Sequence, residues 1–224
     1  MTKSARCCSL TAAGWLTLAA AARAAGGHFD VDDAAVVEAG RCQYETWLMR
    51  APAASATLFH LGPGCRVGPV ELGLNYDRLS TGSETRSTLG PQLKWVADPL
   101  VGPLSAGIVW STAHDLKRGG RPAHALYVPV TWAVNDKVAL NANLGADWDF
   151  AGARTRRVGV AGEWAAHPKL TVIGERVQVA GDWTSRLGAR FMLGDAISLD
   201  LSAARVGPGA SRVYGIGLNH AFAR

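Results

Sequence analysis

The chain has 224 residues, 48% hydrophobic and 18% charged, which is enough for one domain with a real interior and excludes disordered and collagen-like classes. Its formal net charge is +5, but Lys3, Arg6 and Arg23 stand in the first 24 residues without an acid, so the remainder holds 20 bases and 18 acids, a net of +2. The basic character therefore gives no ground for a nucleic-acid partner.

In chain order, residues 1–24 read as a secretory signal. Lys3 and Arg6 form a positive start, an Ala-rich apolar stretch with Trp15, Leu16 and Leu18 follows, and Ala20-Ala21-Ala22 or Ala22-Arg23-Ala24 offers a cleavage site. The apolar core is short for a membrane anchor. Cys7 and Cys8 fall inside this segment, so Cys42 and Cys65 remain, and export predicts that they form a disulfide. Residues 25–40 are expected to be an N-terminal periplasmic segment or a plug, and residues 41–224 the main fold.

From residue 40 onward the apolar residues recur with a period of two. Val70, Leu72, Leu74 and Tyr76 alternate with Glu71, Gly73, Asn75 and Asp77; Leu140, Ala142 and Leu144 alternate with Asn141, Asn143 and Gly145. Twelve such segments are expected, near 41–50, 56–66, 69–79, 88–96, 104–113, 123–134, 137–149, 157–166, 169–178, 185–193, 196–205 and 211–222. Most have the length of a tilted strand crossing a bilayer, about 9–11 residues. No later run of about 20 apolar residues supplies a spanning helix. The expected fold is all-β: an antiparallel transmembrane β-barrel of about 12 strands in an outer membrane, with both termini periplasmic. Ten strands would remain if the first pair lay outside the wall.

The connections alternate in expected length. Gly68, Asn135-Asp136, His167-Pro168 and Gly194-Asp195 mark short turns; Ala51–Ser55, Ser80–Ser87, His114–Pro122, Phe150–Arg156, Ala180–Thr184 and Val206–Ala210 read as longer loops, and Ala97–Pro103 breaks the pattern. Two aromatic girdles are expected: Trp47, Tyr76, Trp110, Trp148 and Tyr214 at the outer interface, and Trp95, Trp132, Trp164 and Phe222 at the inner one. In a hairpin centred on the Ala51–Ser55 loop, residues whose numbers sum to about 107 face each other, as Cys42 and Cys65 do. The last strand, with Tyr214, Ile216, Leu218 and Phe222 alternating, looks like the closing signal read by outer-membrane assembly machinery, although His220 is polar and Ala223-Arg224 follow the aromatic.

By the same alternation the lumen should present Gln43, Glu45, Glu71, Asn75, Asp77, Gln92, Lys94, Asn141, Asn143, Asp147, Glu163, Glu175, Arg190, Asp200 and Asn219. Acids dominate that list, which suits either a water-filled path for cations and polar solutes or a packed lumen closed by ion pairs. An acidic lumen would disfavour entry of the acidic segment 25–40. None of the histidines stands in a His-x-Ser arrangement, His60 and His220 are expected at the membrane interfaces, and no catalytic residue is assigned. No Cys-x-x-Cys, His-x-x-x-His or EF-hand spacing occurs, so no metal or cofactor is expected. His28 with Asp30, Asp32 and Asp33 reads as a solvated acidic segment rather than a cation site. Expected partners are membrane lipids, lipopolysaccharide and a small solute. The leading function is a narrow channel or uptake porin. The alternatives are a structural or adhesion barrel binding through the basic loop His114–Pro122 and a lipid-modifying enzyme.

Residues 28–47 carry Asp32-Asp33-Ala34, a spacer, Gly40 and a strand with Glu45. Together with the Leu170–Arg176 strand and the closing strand, they resemble a proteobacterial outer-membrane family that includes the "MetA-pathway of phenol degradation" proteins. The resemblance implies an outer-membrane barrel with a role in uptake of small compounds.

Overall fold

The computed structural model describes residues 27–179 and 181–224; the expected signal, with Cys7 and Cys8, lies outside the described residues. The strands are β1 (Arg41–Ala51), β2 (Ala56–Val67), β3 (Val70–Thr81), β4 (Glu84–Val101), β5 (Leu104–Asp115), β6 (Ala123–Asn135), β7 (Val138–Trp148), β8 (Arg154–His167), β9 (Leu170–Val179), β10 (Asp182–Met192), β11 (Ile197–Val206) and β12 (Ser211–Ala223). Each pairs antiparallel with its neighbours in sequence, and β1 pairs with β12 from Arg41↔Ala223 to Arg50↔Tyr214. The barrel is therefore closed with twelve strands, the first hairpin included. Closure leaves no unpaired strand edge, which is what a sheet in hydrocarbon requires.

The alternation decides which face is which. Leu72, Leu74, Leu140, Leu144, Leu201 and Ile216 point outward and are 42–64% exposed, while the intervening Glu71, Asn141, Asn143 and Asp200 are at most 7% exposed. A water-soluble barrel would have the opposite arrangement. Apolar side chains outside and hydrogen-bonded polar ones inside form a lipid-facing band around a polar lumen.

The first hairpin has the expected register throughout, from Cys42↔Cys65 to Ala51↔Ala56. The two cysteines are bonded, with S–S 2.04 Å. Cys42 shares its face with Leu48, and Cys65 with Phe59 and Leu61, so the cross-link lies on the outer side of the wall.

Several connections differ from expectation. The strand β4 runs from Glu84 to Val101, so the expected Ser80–Ser87 loop shrinks to a Gly82-Ser83 turn and the Ala97–Pro103 connection to a Gly102-Pro103 turn. A register irregularity between Ala97 and Val101 absorbs the polar and proline residues that hid this extension. The expected Ala180–Thr184 loop is also shorter, because Asp182, Trp183 and Thr184 already belong to β10 and Asp182 pairs with Val179. Among the connections made wholly of described residues, only those after β5 and β7 are longer than four residues.

Candidate functional site

Residues 27–37 are not a solvated acidic tail. His28, Phe29, Val31, Asp33 and Ala34 are at most 7% exposed, and their partners come from strands on several sides of the barrel. This inner segment has no strand partner, so its backbone amides need acceptors elsewhere. Inward-pointing side chains supply them. The Asp30 and Val31 amides donate to the Glu175 carboxylate at 3.2 and 2.9 Å, and the Val37 amide donates to Glu71 at 2.9 Å. The Ala34 amide donates to Thr131 Oγ1 at 2.8 Å. Asn143 pairs with the peptide of Asp32 from both ends, accepting from its amide at 2.8 Å and donating to its carbonyl at 2.7 Å.

The acids of the segment meet cations. Lys94 Nζ lies 2.8 Å from Asp32 and 3.2 Å from Asp33, and Tyr127 Oη donates to Asp32 at 3.2 Å. Arg186 bridges Asp30 at 2.9 Å and Glu175 at 3.0 Å, and also donates to the His28 carbonyl. Nearby, Arg190 grips Asp200 through two nitrogens at 2.8 and 2.7 Å, and Arg157 grips Asp147 at 3.0 and 2.8 Å while lying over the Tyr127 ring. The sequence-derived list held too few bases. Arg157 and Arg186 stand at the expected starts of β8 and β10, and their parity with Glu163 and Arg190 was the signal that places them inside.

Apolar contacts complete the seat. Val31 packs with Ala161 and Val177 in a small buried cluster. His28 stacks on Phe29 with ring centroids 4.6 Å apart, and its Nε2 lies 2.6 Å from Ser202 Oγ. Burial lowers the His28 pKa from its ordinary 6.5 to about 4, with the Arg186 charge acting in the same direction. His28 is therefore neutral at pH 7.

The segment runs along the β6–β11 side and does not fill the lumen. Between it and β1–β4 lies a cavity of about 350 Å³, lined among others by Glu45, Trp47, His60, Glu71, Asn75 and Gln92. Gln43 donates to Glu71 at 3.1 Å, and Asn75 to Gln92 at 3.1 Å. His60 Nδ1 lies 2.7 Å from Asp77, and its ring stacks on Trp47 with centroids 4.6 Å apart. Elsewhere on the inner face Asn141 donates to Glu163 at 2.5 Å and Asn219 to Asp200 at 3.0 Å.

Two expectations are corrected here. Trp47 is not part of the outer girdle, because it shares parity with Gln43 and Glu45 and therefore points into the cavity. His60 is likewise an inner residue, not an interfacial one. Of the other aromatic positions, Trp95, Trp110, Trp132, Trp164, Tyr214 and Phe222 point outward and are 39–54% exposed. Tyr76 contacts the outward Phe59, and Trp148 lies under Arg154 near the opposite strand end from Trp132. Trp183, absent from the expected set, joins Trp148 at the same end.

The family model described as "Uncharacterised conserved protein UCP029691" matches residues 14–214. The chain belongs to that family. No curated protein matches it in sequence. Among solved structures it is similar to the KdgM porin in complex with disordered oligogalacturonate, with a TM-score of 0.61, 12% identity and coverage of 81% of this chain and 99% of that one. The NanC porin gives a TM-score of 0.57 at 11% identity, covering 80% and 98% of the two chains. The COG4313 outer membrane channel from Pseudomonas putida F1 gives 0.56 at 15% identity, covering 85% and 98%. At these identities the similarity concerns the barrel fold.

Proposed function

We propose that this family member is an outer-membrane channel for small polar solutes, narrowed by an N-terminal plug formed by residues 27–37. The observation that carries this reading is the polar cavity between the plug and β1–β4. A barrel packed shut would fill that space with side chains, whereas Gly62, Gly64 and Gly73 leave it open. Glu45 and Glu71 give the path an acidic wall, while the lining cations Lys94 and Arg157 are already engaged, by Asp32 and Asp33 and by Asp147. The path therefore favours cationic or neutral polar solutes over anions. The similar KdgM and NanC porins and the COG4313 channel support transport as the role of the fold. Relatedness to the "MetA-pathway of phenol degradation" proteins is a narrower reading, resting on Asp32, Asp33, Ala34, Gly40 and Glu45. The test is conductance in planar bilayers with the purified protein. Small, cation-selective steps are expected; a barrel that inserts but never conducts above background removes the channel assignment.

A further inference from the structure

The lipid-facing wall carries a feature that transport does not use. Gly162 of β8 and Gly174 of β9 are direct cross-strand partners and both face outward. Leu140 stands opposite Gly162, and Leu187 opposite Gly174. Two missing side chains between tall neighbours leave a groove of about 680 Å³, lined by Val130, Trp132, Leu140, Ala142, Val160 and Arg176 among others. Its walls are apolar and it lies in the hydrocarbon band. An acyl chain has the matching shape and polarity.

One end of the groove is basic. Arg176 is the cross-strand partner of Val160, one step along the wall from the glycine pair. Its guanidinium lies 4.9 Å from the Trp183 ring and donates to Ser185 at 2.7 Å. Arg154 and Arg156 of β8 are exposed on the same outer face, Arg156 donating to Gln178 at 3.1 Å. The outward residues of β7–β10 include no carboxylate among the described residues. Three arginines at one rim of the lipid face, with no acid among the described residues of that face, form a basic surface at headgroup level that suits an anion. A guanidinium recognises phosphate through paired hydrogen bonds.

We propose that this surface is a lipid site: the groove holds an acyl chain, and Arg154, Arg156 and Arg176 hold the phosphates of a phosphorylated glycolipid of the lipopolysaccharide class. The arginines stand at the strand ends that carry the longer connections after β5 and β7, which the outer-membrane reading directs to the external leaflet, where that lipid resides. The assignment rests on that location but not on conduction, which bilayer recordings test separately.

The experiment uses the full protein in neutral detergent, titrated with bis-phosphorylated lipid A and followed by native mass spectrometry. The wild type should retain lipid A through delipidation. The double variant Arg156→Gln/Arg176→Gln should bind about tenfold more weakly, as expected for lost charge-assisted hydrogen bonds. Dephosphorylated lipid A should bind the wild type with the same reduced affinity. Gly174→Leu should also weaken binding by filling the groove; a Cβ there stands 3.8 Å from its nearest neighbour, an ordinary contact. Heat-modifiable gel mobility reports whether each variant is folded, and the arginine variant with the dephosphorylated lipid decides the matter if Gly174→Leu is not. Equal binding by the wild type and the double variant would overturn the proposal. So would phosphatidylglycerol binding as tightly as lipid A.

Discussion

The two halves of the inner wall use glycine to opposite ends. On β8, β10 and β12, a Cβ at Gly159 would lie 2.8 Å from Val31, one at Gly188 2.9 Å from Phe29, and one at Gly215 2.8 Å from His28. These glycines are the floor on which the plug sits. On β2, a Cβ at Gly62 would meet the ends of His60 and Asn75 at 2.7 and 3.0 Å, and one at Gly64 the Glu71 carboxylate at 3.1 Å. No plug residue covers those positions, and the space remains a cavity. The same residue type removes volume from the wall in both halves. The difference is that the β6–β11 half offers Glu175, Asn143, Thr131 and Arg186 to residues 30–34, whereas the β1–β4 half offers Lys94 to Asp32 and Asp33, and Glu71 to the Val37 amide.

Breaking the occupied half should have the largest effect. Arg186→Ala leaves Glu175 and Asp30 without their shared cation in a buried site, at a cost of about 3–5 kcal/mol. Hydrogen exchange of the amides of residues 30–34 should accelerate, and conductance should rise as the plug leaves. Gly159→Leu attacks the same seat sterically. Overpacking against Val31 and Val177 costs about 1–3 kcal/mol, with the same signs in both measurements and smaller amplitude. Unchanged exchange in both variants would mean that the segment is not held by these contacts.

The open half should respond differently. Gly62→Val narrows the cavity, so conductance should fall while exchange of the plug amides stays at the wild-type rate. A variant that altered both would show that the halves are coupled. Between pH 7 and 6, the effect of pH is the smallest expected. His28 titrates near 4 when docked and near 6.5 when released, so below pH 6.5 the released state takes up a proton that the docked state refuses. Plug docking should be strongest above pH 6.5 and weaken as pH falls toward 4. Exchange of the amides of residues 30–34, corrected for intrinsic rate, checks this, and His28→Gln should flatten the dependence.

Much of the wall was legible because a membrane barrel writes a local code. Period-two alternation gave twelve strands within a few residues of their observed bounds, and the residue-number sum of 107 placed Cys42 opposite Cys65. The exceptions have physical causes. The extended β4 was hidden by Asp98 and Pro99 beside a register irregularity. Distance from the strand end points Trp47 to the outer girdle, whereas its parity with Glu45 directs it inward, and the structure follows parity.

The sequence by itself determined the class of fold, the strand count, the disulfide register and which face of most strands is polar, because each depends on neighbours one or two positions apart or on one short hairpin. Only the tertiary structure decided where residues 27–37 go. Read alone, three aspartates beside an acid-rich lumen argue against entry. In the folded barrel, Lys94 from β4 and Arg186 from β10 come within 3.2 Å of those aspartates, and Asn143, Thr131 and Glu175 take up the backbone amides. Those partners lie 60 to 160 residues away in sequence, where no local pattern registers them.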